Sequence, residues 1–265
     1  MFTLILVGML AGVLGTLFGL GGGVILIPML TIAYGLEPAE ATAVSLVGII
    51  AASTGGAAFF VKNKVSNIRL GMALEISTAI GAIIGAMLAV FVDGVWIIVI
   101  FAIVIAYSGI RMAMDRKVQI EEQADGDSSY YDIKEGREKR YTVKNIKTGS
   151  AVCSVAGMVS SMTGVGGGAI KVPLMNVHME VPIKAAAATS SYMIGITAFS
   201  GAIVFFVSGQ ILLEYAGAIA VGSFLGALIG SLISRYIDGQ SLKRYFSILL
   251  FTIAGIMLLN AGGIL

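Results

Sequence analysis

Along this chain the apolar positions come in runs of 15 to 24 residues, with no alternation of apolar and polar positions. Helices crossing a hydrocarbon core about 30 Å thick need about 20 such residues, so runs of this length predict membrane-spanning segments. The lack of a period of two favours helices over barrel strands. Helical segments are predicted near 2–18, 24–34, 39–61, 70–92 and 95–113, and again near 149–163, 169–179, 185–207, 214–234 and 245–263. The expected fold is an all-α polytopic membrane protein in three parts. Residues 1–113 form a first transmembrane repeat, 114–147 a cytoplasmic insert, and 148–265 a second transmembrane repeat. Residues Met1 to Leu10 carry no basic n-region and no cleavage site, so they read as a retained span and not a removed signal peptide.

Composition sharpens this picture. Hydrophobic types make up 57% of the 265 residues and charged types only 12%, about half the charge of a soluble domain. The charges are also unevenly placed: residues 111–147 hold nine basic and eight acidic groups. The single Cys153 excludes a disulfide scaffold. A net charge of +2 with no sustained basic face argues against a nucleic-acid partner.

The two apolar blocks are copies of each other. Gly19-Leu20-Gly21-Gly22-Gly23, followed by Pro28, recurs as Gly164-Val165-Gly166-Gly167-Gly168, followed by Pro173, at an offset of 145. The same offset carries Gly81 and Gly85 onto Gly226 and Gly230, Ser45 onto Ser190, and Gly56 onto Gly201. Basic residues collect on cytoplasmic loops. If the first two segments of each block form a hairpin around the glycine turn, Lys62, Lys64, Arg69, the insert, Lys184, Arg235, Lys243 and Arg244 all fall on one side. Both termini then lie outside and 111–147 lies in the cytoplasm. Each block has an odd number of crossings, so the copies are expected to be inverted. In keeping with that, Lys62 and Lys64 align with neutral Val207 and Gly209, while Arg235 and Arg244 align with Val90 and Val99; random drift is the alternative. Inverted repeats of this kind build secondary transporters, with the substrate site near midplane at the repeat interface.

The glycine turns are the first candidates for that site. Three adjacent glycines break a helix, and broken backbone at membrane depth must be buried in protein or line a wet cavity. Each turn opens a new segment, whose N-terminal N–H groups and partial positive charge suit a small anion. Gly21, Gly22, Gly23, Gly166, Gly167 and Gly168 are therefore candidate substrate contacts, with close helix packing as the alternative. For the Gly81/Gly85 and Gly226/Gly230 pairs, packing is the preferred reading. Ser45 and the run Thr189, Ser190 and Ser191 are candidate hydroxyl donors, although many intramembrane hydroxyls bond only their own backbone. Thr197 lies further along the same segment. Lys171, three residues past the second triple glycine, is a candidate anion contact or a snorkelling lysine. Glu75 is a candidate proton-coupling carboxylate or an interfacial glutamate, and Glu214 reads similarly. His178 and Cys153 receive no role. No metal-ligand cluster, nucleophile–base pair or phosphate loop is present in the sequence, so neither a cofactor nor an enzymatic activity is expected. Within the insert, Tyr130 to Lys144 alternates around Gly136 and fits a short β-hairpin; for the insert's role, regulation or partner docking is one reading and a solvated linker the other.

The paired motifs GLGGGxxxxP and GVGGGxxxxP, the run Ala188-Thr189-Ser190-Ser191, and an insert containing Tyr130-Tyr131-Asp132 and Gly136-Arg137-Glu138 resemble the TauE/SafE sulfite-exporter family of membrane permeases. The resemblance covers essentially the whole chain. It implies transport, often export, of small sulfur-containing anions such as sulfite, sulfoacetate or other organosulfonates. It places the family's glycine motifs on Gly19 to Gly23 and Gly164 to Gly168, and its Thr-Ser pair on Thr189 and Ser190. The first copy has Val44 at the position of Thr189, a departure from twofold symmetry. The expected partners are a small anionic substrate and the bilayer of the cell membrane. An uncoupled anion would be driven outward by about 2.3 kcal/mol per charge per 100 mV, so export needs no coupling ion and uptake needs one. A permease for another small anion such as a carboxylate, a proton-coupled uptake system, and a membrane sensor signalling through 111–147 are the other readings.

Overall fold

A computed structural model of the chain describes residues 1–89, 91–93 and 126–261, with part of 96–110; the side chains at 239, 240, 243, 253 and 257–261 are excepted. The predicted segment 95–113 thus lies largely outside the described residues. The first block runs α1 (Phe2–Phe18), α2 (Gly23–Pro28), α3 (Pro38–Lys62) and α4 (Ile68–Ala89). A hairpin of β1 (Ser128–Asp132) and β2 (Arg137–Tyr141) follows. The second block runs α5 (Ile146–Thr163), α6 (Gly168–Pro173), α7 (Ile183–Val207), α8 (Leu213–Ser234) and α9 (Gly239–Ala261). The α2/α6, α3/α7 and α4/α8 pairs have bounds exactly one repeat offset apart.

Local chemistry sets these bounds. Left-handed Gly19 (φ 69°) ends α1 and left-handed Gly164 (φ 68°) ends α5, a conformation that glycine adopts without steric penalty. Gly22 (φ 92°) and Gly167 (φ 75°) then turn the chain into α2 and α6. Pro28 and Pro173 supply no N–H, and after each the helix widens into a π-turn, Met29–Ala33 and Leu174–His178. Residues 23–33 therefore make a helical arm about 16 Å long at 1.5 Å per residue, roughly half a membrane core. A reciprocal capping box between Glu37 and Glu40, with Pro38 in the first turn, starts α3.

Helices α3, α4, α7 and α8 are long and apolar enough to cross a membrane. The outward faces of α4, α7 and α8 carry Met72, Ile76, Ile80, Met87, Phe199, Ile203, Val221 and Leu232, all exposed as lipid-facing residues would be. Inside, the blocks exchange partners: α1 packs along α8, and α5 packs along α4. Gly222, Gly226 and Gly230 lie against the backbones of Ile5, Met9 and Val13, and Gly81 and Gly85 lie against Ser154 and Met158. A Cβ at any of them would strike a carbonyl oxygen, so these glycines serve close helix contact. Helices α3 and α7 cross at the centre in opposite directions: Leu46 meets Gly201, while Ser53 meets Gly195 and the Ser191 carbonyl.

The hairpin is docked against the helices. Tyr130, Asp132 and Tyr141 are buried. The Tyr131 N–H donates to the Lys64 carbonyl, Asn67 Nδ2 donates to the Tyr141 hydroxyl at 2.9 Å, and Lys184 Nζ lies 2.8 Å from Asp132. The insert thereby ties the α3–α4 loop to the start of α7. Burial pushes the Tyr141 phenol up to about 12 from its ordinary 10. Because the folded value is the higher, this part of docking stability is intact below pH 10. It is lost as the pH rises through 12. Phenolate absorbance and limited proteolysis across that window are expected to report hairpin release, and the release should be absent from that window in Tyr141→Phe.

Candidate functional site

The two glycine turns meet at the centre of the bundle. Gly23 faces the Gly164 carbonyl and Gly168 faces the Gly19 carbonyl, each so closely that a Cβ has no room. Gly21 and Gly166 both rest on Ile49 and Ile194, which are the twelfth residues of the 25-residue helices α3 and α7. The turns therefore lie level with the middle of those helices. Two hydroxyls cross-brace them: Ser45 Oγ donates to the Gly164 carbonyl at 2.7 Å, and Ser190 Oγ donates to the Gly19 carbonyl at 2.8 Å. Each serine belongs to one block and the carbonyl it holds belongs to the other. In this conformation their protons serve the turns and are not offered to a ligand. The other hydroxyls of the run point elsewhere. Thr189 Oγ1 accepts the Asn67 N–H at 2.9 Å at the start of α4, and Ser191 Oγ is buried with no hydrogen-bond partner among the described residues.

Beside the second turn sits a buried ion pair. Lys171 is 0% exposed and Glu75 is 4% exposed, so both are enclosed by protein. Lys171 Nζ lies 3.3 Å from Glu75 Oε2 and donates to Thr197 Oγ1 at 2.6 Å; Thr197 Oγ1 in turn donates to Glu75 Oε1 at 2.6 Å. The triad joins α4, α6 and α7, and thus both blocks. It also abuts the turn: a Cβ on Gly167 would lie 3.4 Å from Lys171 Cε and 3.2 Å from Ser160 Oγ. That Ser160 hydroxyl is 1% exposed and has no partner among the described residues. An isolated charge here would cost several kcal/mol, and the reciprocal pairing offsets that.

The repeat offset exposes an asymmetry. The counterparts of Ser160, Lys171, Thr197, Glu75 and Thr189 are Gly15, Leu26, Ala52, Ala220 and Val44. Four of these, Ser160, Lys171, Thr197 and Glu75, gather at one turn and correspond to residues without polar side chains at the other, while Thr189 bonds Asn67 at the start of α4. Ser160 had no place among the residues singled out from sequence, and Thr197 was noted only as a hydroxyl further along its segment. Comparing the copies position by position, instead of seeking identities, is the signal that finds them.

Comparison with known proteins places the chain among membrane transporters. The model of the family described as "Sulfite exporter TauE/SafE" matches residues 4–257. "Probable membrane transporter protein YunE" of Bacillus subtilis is 26% identical over 258 residues, covering 94% of both chains. A "Probable membrane transporter protein" of Haemophilus influenzae is 24% identical over 270 residues, covering 97% of this chain and 95% of its own. "Probable membrane transporter protein MJ0441" of Methanocaldococcus jannaschii is 24% identical over 271 residues, covering 96% and 92%. No solved structure matches the chain. With nearly its whole length matched, this polytopic membrane protein belongs to the TauE/SafE sulfite-exporter family of membrane transporters.

Proposed function

We propose that the chain carries a small sulfur-containing anion, such as sulfite, sulfoacetate or another organosulfonate, across the cell membrane by alternating access, with export as its direction. The observation that carries this reading is the meeting of two glycine turns level with the middle of two long helices, each turn opening a half-length helical arm. Helix N-termini and glycine backbone suit an anion. The antiparallel crossing of α3 and α7 and the exchanged pairs α1–α8 and α4–α5 support inverted repeats, the build in which one bundle rocks against the other around a central site. Opposed repeats, together with the basic loops, support outside termini and a cytoplasmic insert. The substrate contacts are the turns at Gly21 to Gly23 and Gly166 to Gly168, with Lys171 and the Thr189 to Ser191 run beside them. Ser45 and Ser190 hold the turns in register and become donors only if the turns part.

Flux of labelled sulfite, an organosulfonate and a carboxylate into proteoliposomes tests this directly. Saturable flux of the sulfur anions is expected, with slower carboxylate flux. Equal rates for all three would remove the substrate class, and no flux above that of protein-free vesicles would remove transport of these anions.

A further inference from the structure

We propose that Lys171, Glu75 and Thr197 form a single exchange centre at the second glycine turn, where the substrate anion takes the place of the Glu75 carboxylate on Lys171 and Glu75 picks up a proton. This rests on the reading of the chain as an anion carrier and adds to it where the anion binds, how many sites there are, and what moves with it.

The geometry carries the argument in three steps. First, Lys171 already holds a carboxylate. Its ammonium is bound by Glu75 and Thr197 with the side chain fully buried, so the centre is an anion site occupied by the protein's own anion. Second, a further donor lies on the same side. Gly167 is packed against Lys171 Cε and the unpartnered Ser160 hydroxyl, so a shift of this turn brings its backbone and that hydroxyl to an anion on Lys171. Third, the site is single. At the first turn the corresponding residues are Gly15, Leu26, Ala52 and Ala220, which hold no ion.

Charge balance then fixes the coupling. A net charge in a bilayer core is costly, and the resting centre is neutral, with one ammonium and one carboxylate. A monovalent anion bound to Lys171 beside an ionised Glu75 would leave a net negative centre. Protonation of Glu75 from the open aqueous side restores neutrality, and on the far side the anion and proton leave together. The groups facing Glu75 are Lys171 from α6, Thr197 from α7 and Cys153 from α5, the last bonded to Thr78. The balance is one anion and one proton taken from the same side and released together on the other. For a monovalent anion both legs of the cycle are electroneutral. Direction then follows the anion and proton gradients, and an accumulating internal anion drives export.

The test uses the full-length protein in vesicles containing a pH-sensitive dye. Methanesulfonate is the main probe, because it is ionised at every working pH and cannot carry the proton itself. Methanesulfonate uptake is expected to acidify the lumen by one proton per anion and to be indifferent to an imposed voltage. Sulfite is run alongside at alkaline pH, where it is a dianion, so its uptake with one proton carries one net negative charge and responds to voltage. In Glu75→Gln the loaded centre stays neutral but the empty one carries a lone ammonium. Net flux should fall at least tenfold, while exchange of labelled for unlabelled anion continues and loses its pH dependence. Lys171→Met/Glu75→Gln keeps the centre neutral and should lose both. Anion uptake by the wild type with no change in luminal pH overturns the inference, whatever the variants do, and leaves anion transport standing. A wild-type pH profile in Glu75→Gln overturns it as well. Absence of any anion flux overturns the transport reading itself.

Discussion

Gly168→Val is expected to abolish anion flux while the protein still inserts and elutes as a folded species. The Cβ would strike the Gly19 carbonyl and come within 2.8 Å of Ile194 Cδ1. The Gly19 carbonyl is also the acceptor of Ser190, so the substitution pushes apart the two groups that hold the turns together. Overpacking of this kind costs about 1–3 kcal/mol. At the upper end, about 3 kcal/mol on a transport barrier is roughly 100-fold in rate. Gly22→Val should be at least as damaging, because Gly22 has a φ of 92° and its Cβ would lie 2.7 Å from the Ala11 carbonyl oxygen. Gly217→Ala is the matched control, since nothing lies within 4 Å of its Cβ position, and its flux should equal that of the wild type. Proteoliposome flux normalised to inserted protein reads all three.

The second large effect is on stability. Lys171→Met removes the cation and leaves the Glu75 carboxylate buried with only Thr197 to hold it. Breaking a buried ion pair from one side costs about 3–5 kcal/mol. Lys171→Met/Glu75→Gln removes both charges and should recover most of that loss, because a neutral pair needs no compensation. Thermal unfolding in detergent, run as a double-mutant cycle, measures the coupling. Additive losses would mean that the two side chains do not pair. Recovery of stability without recovery of flux would separate the structural part of the pair from its work on the anion.

Much of the architecture could be read from the pattern of residues. Long apolar runs and triple glycines at one offset foretold most helices to within a few residues and the breaks at the glycine turns, because those features act locally. The ion pair was hidden. Lys171 and Glu75 are 96 positions apart and in different blocks, so each looks like a lone charge with an ambiguous role until the fold joins them. The serines were open to two readings. A hydroxyl in an apolar helix has one proton, and sequence does not say whether a ligand or a carbonyl receives it. Ser45 and Ser190 give theirs to the opposing turns. The hairpin was foreseen from its alternation around Gly136, but its docking depends on Asn67 and Lys184, far away in the chain.

The central claim is that the transported anion binds at the second glycine turn on Lys171. Isothermal titration of sulfite into detergent-solubilised protein tests this without needing turnover. The wild type should bind one anion per chain, and folded Lys171→Met/Glu75→Gln should bind none. Unchanged affinity in that double variant would contradict the account.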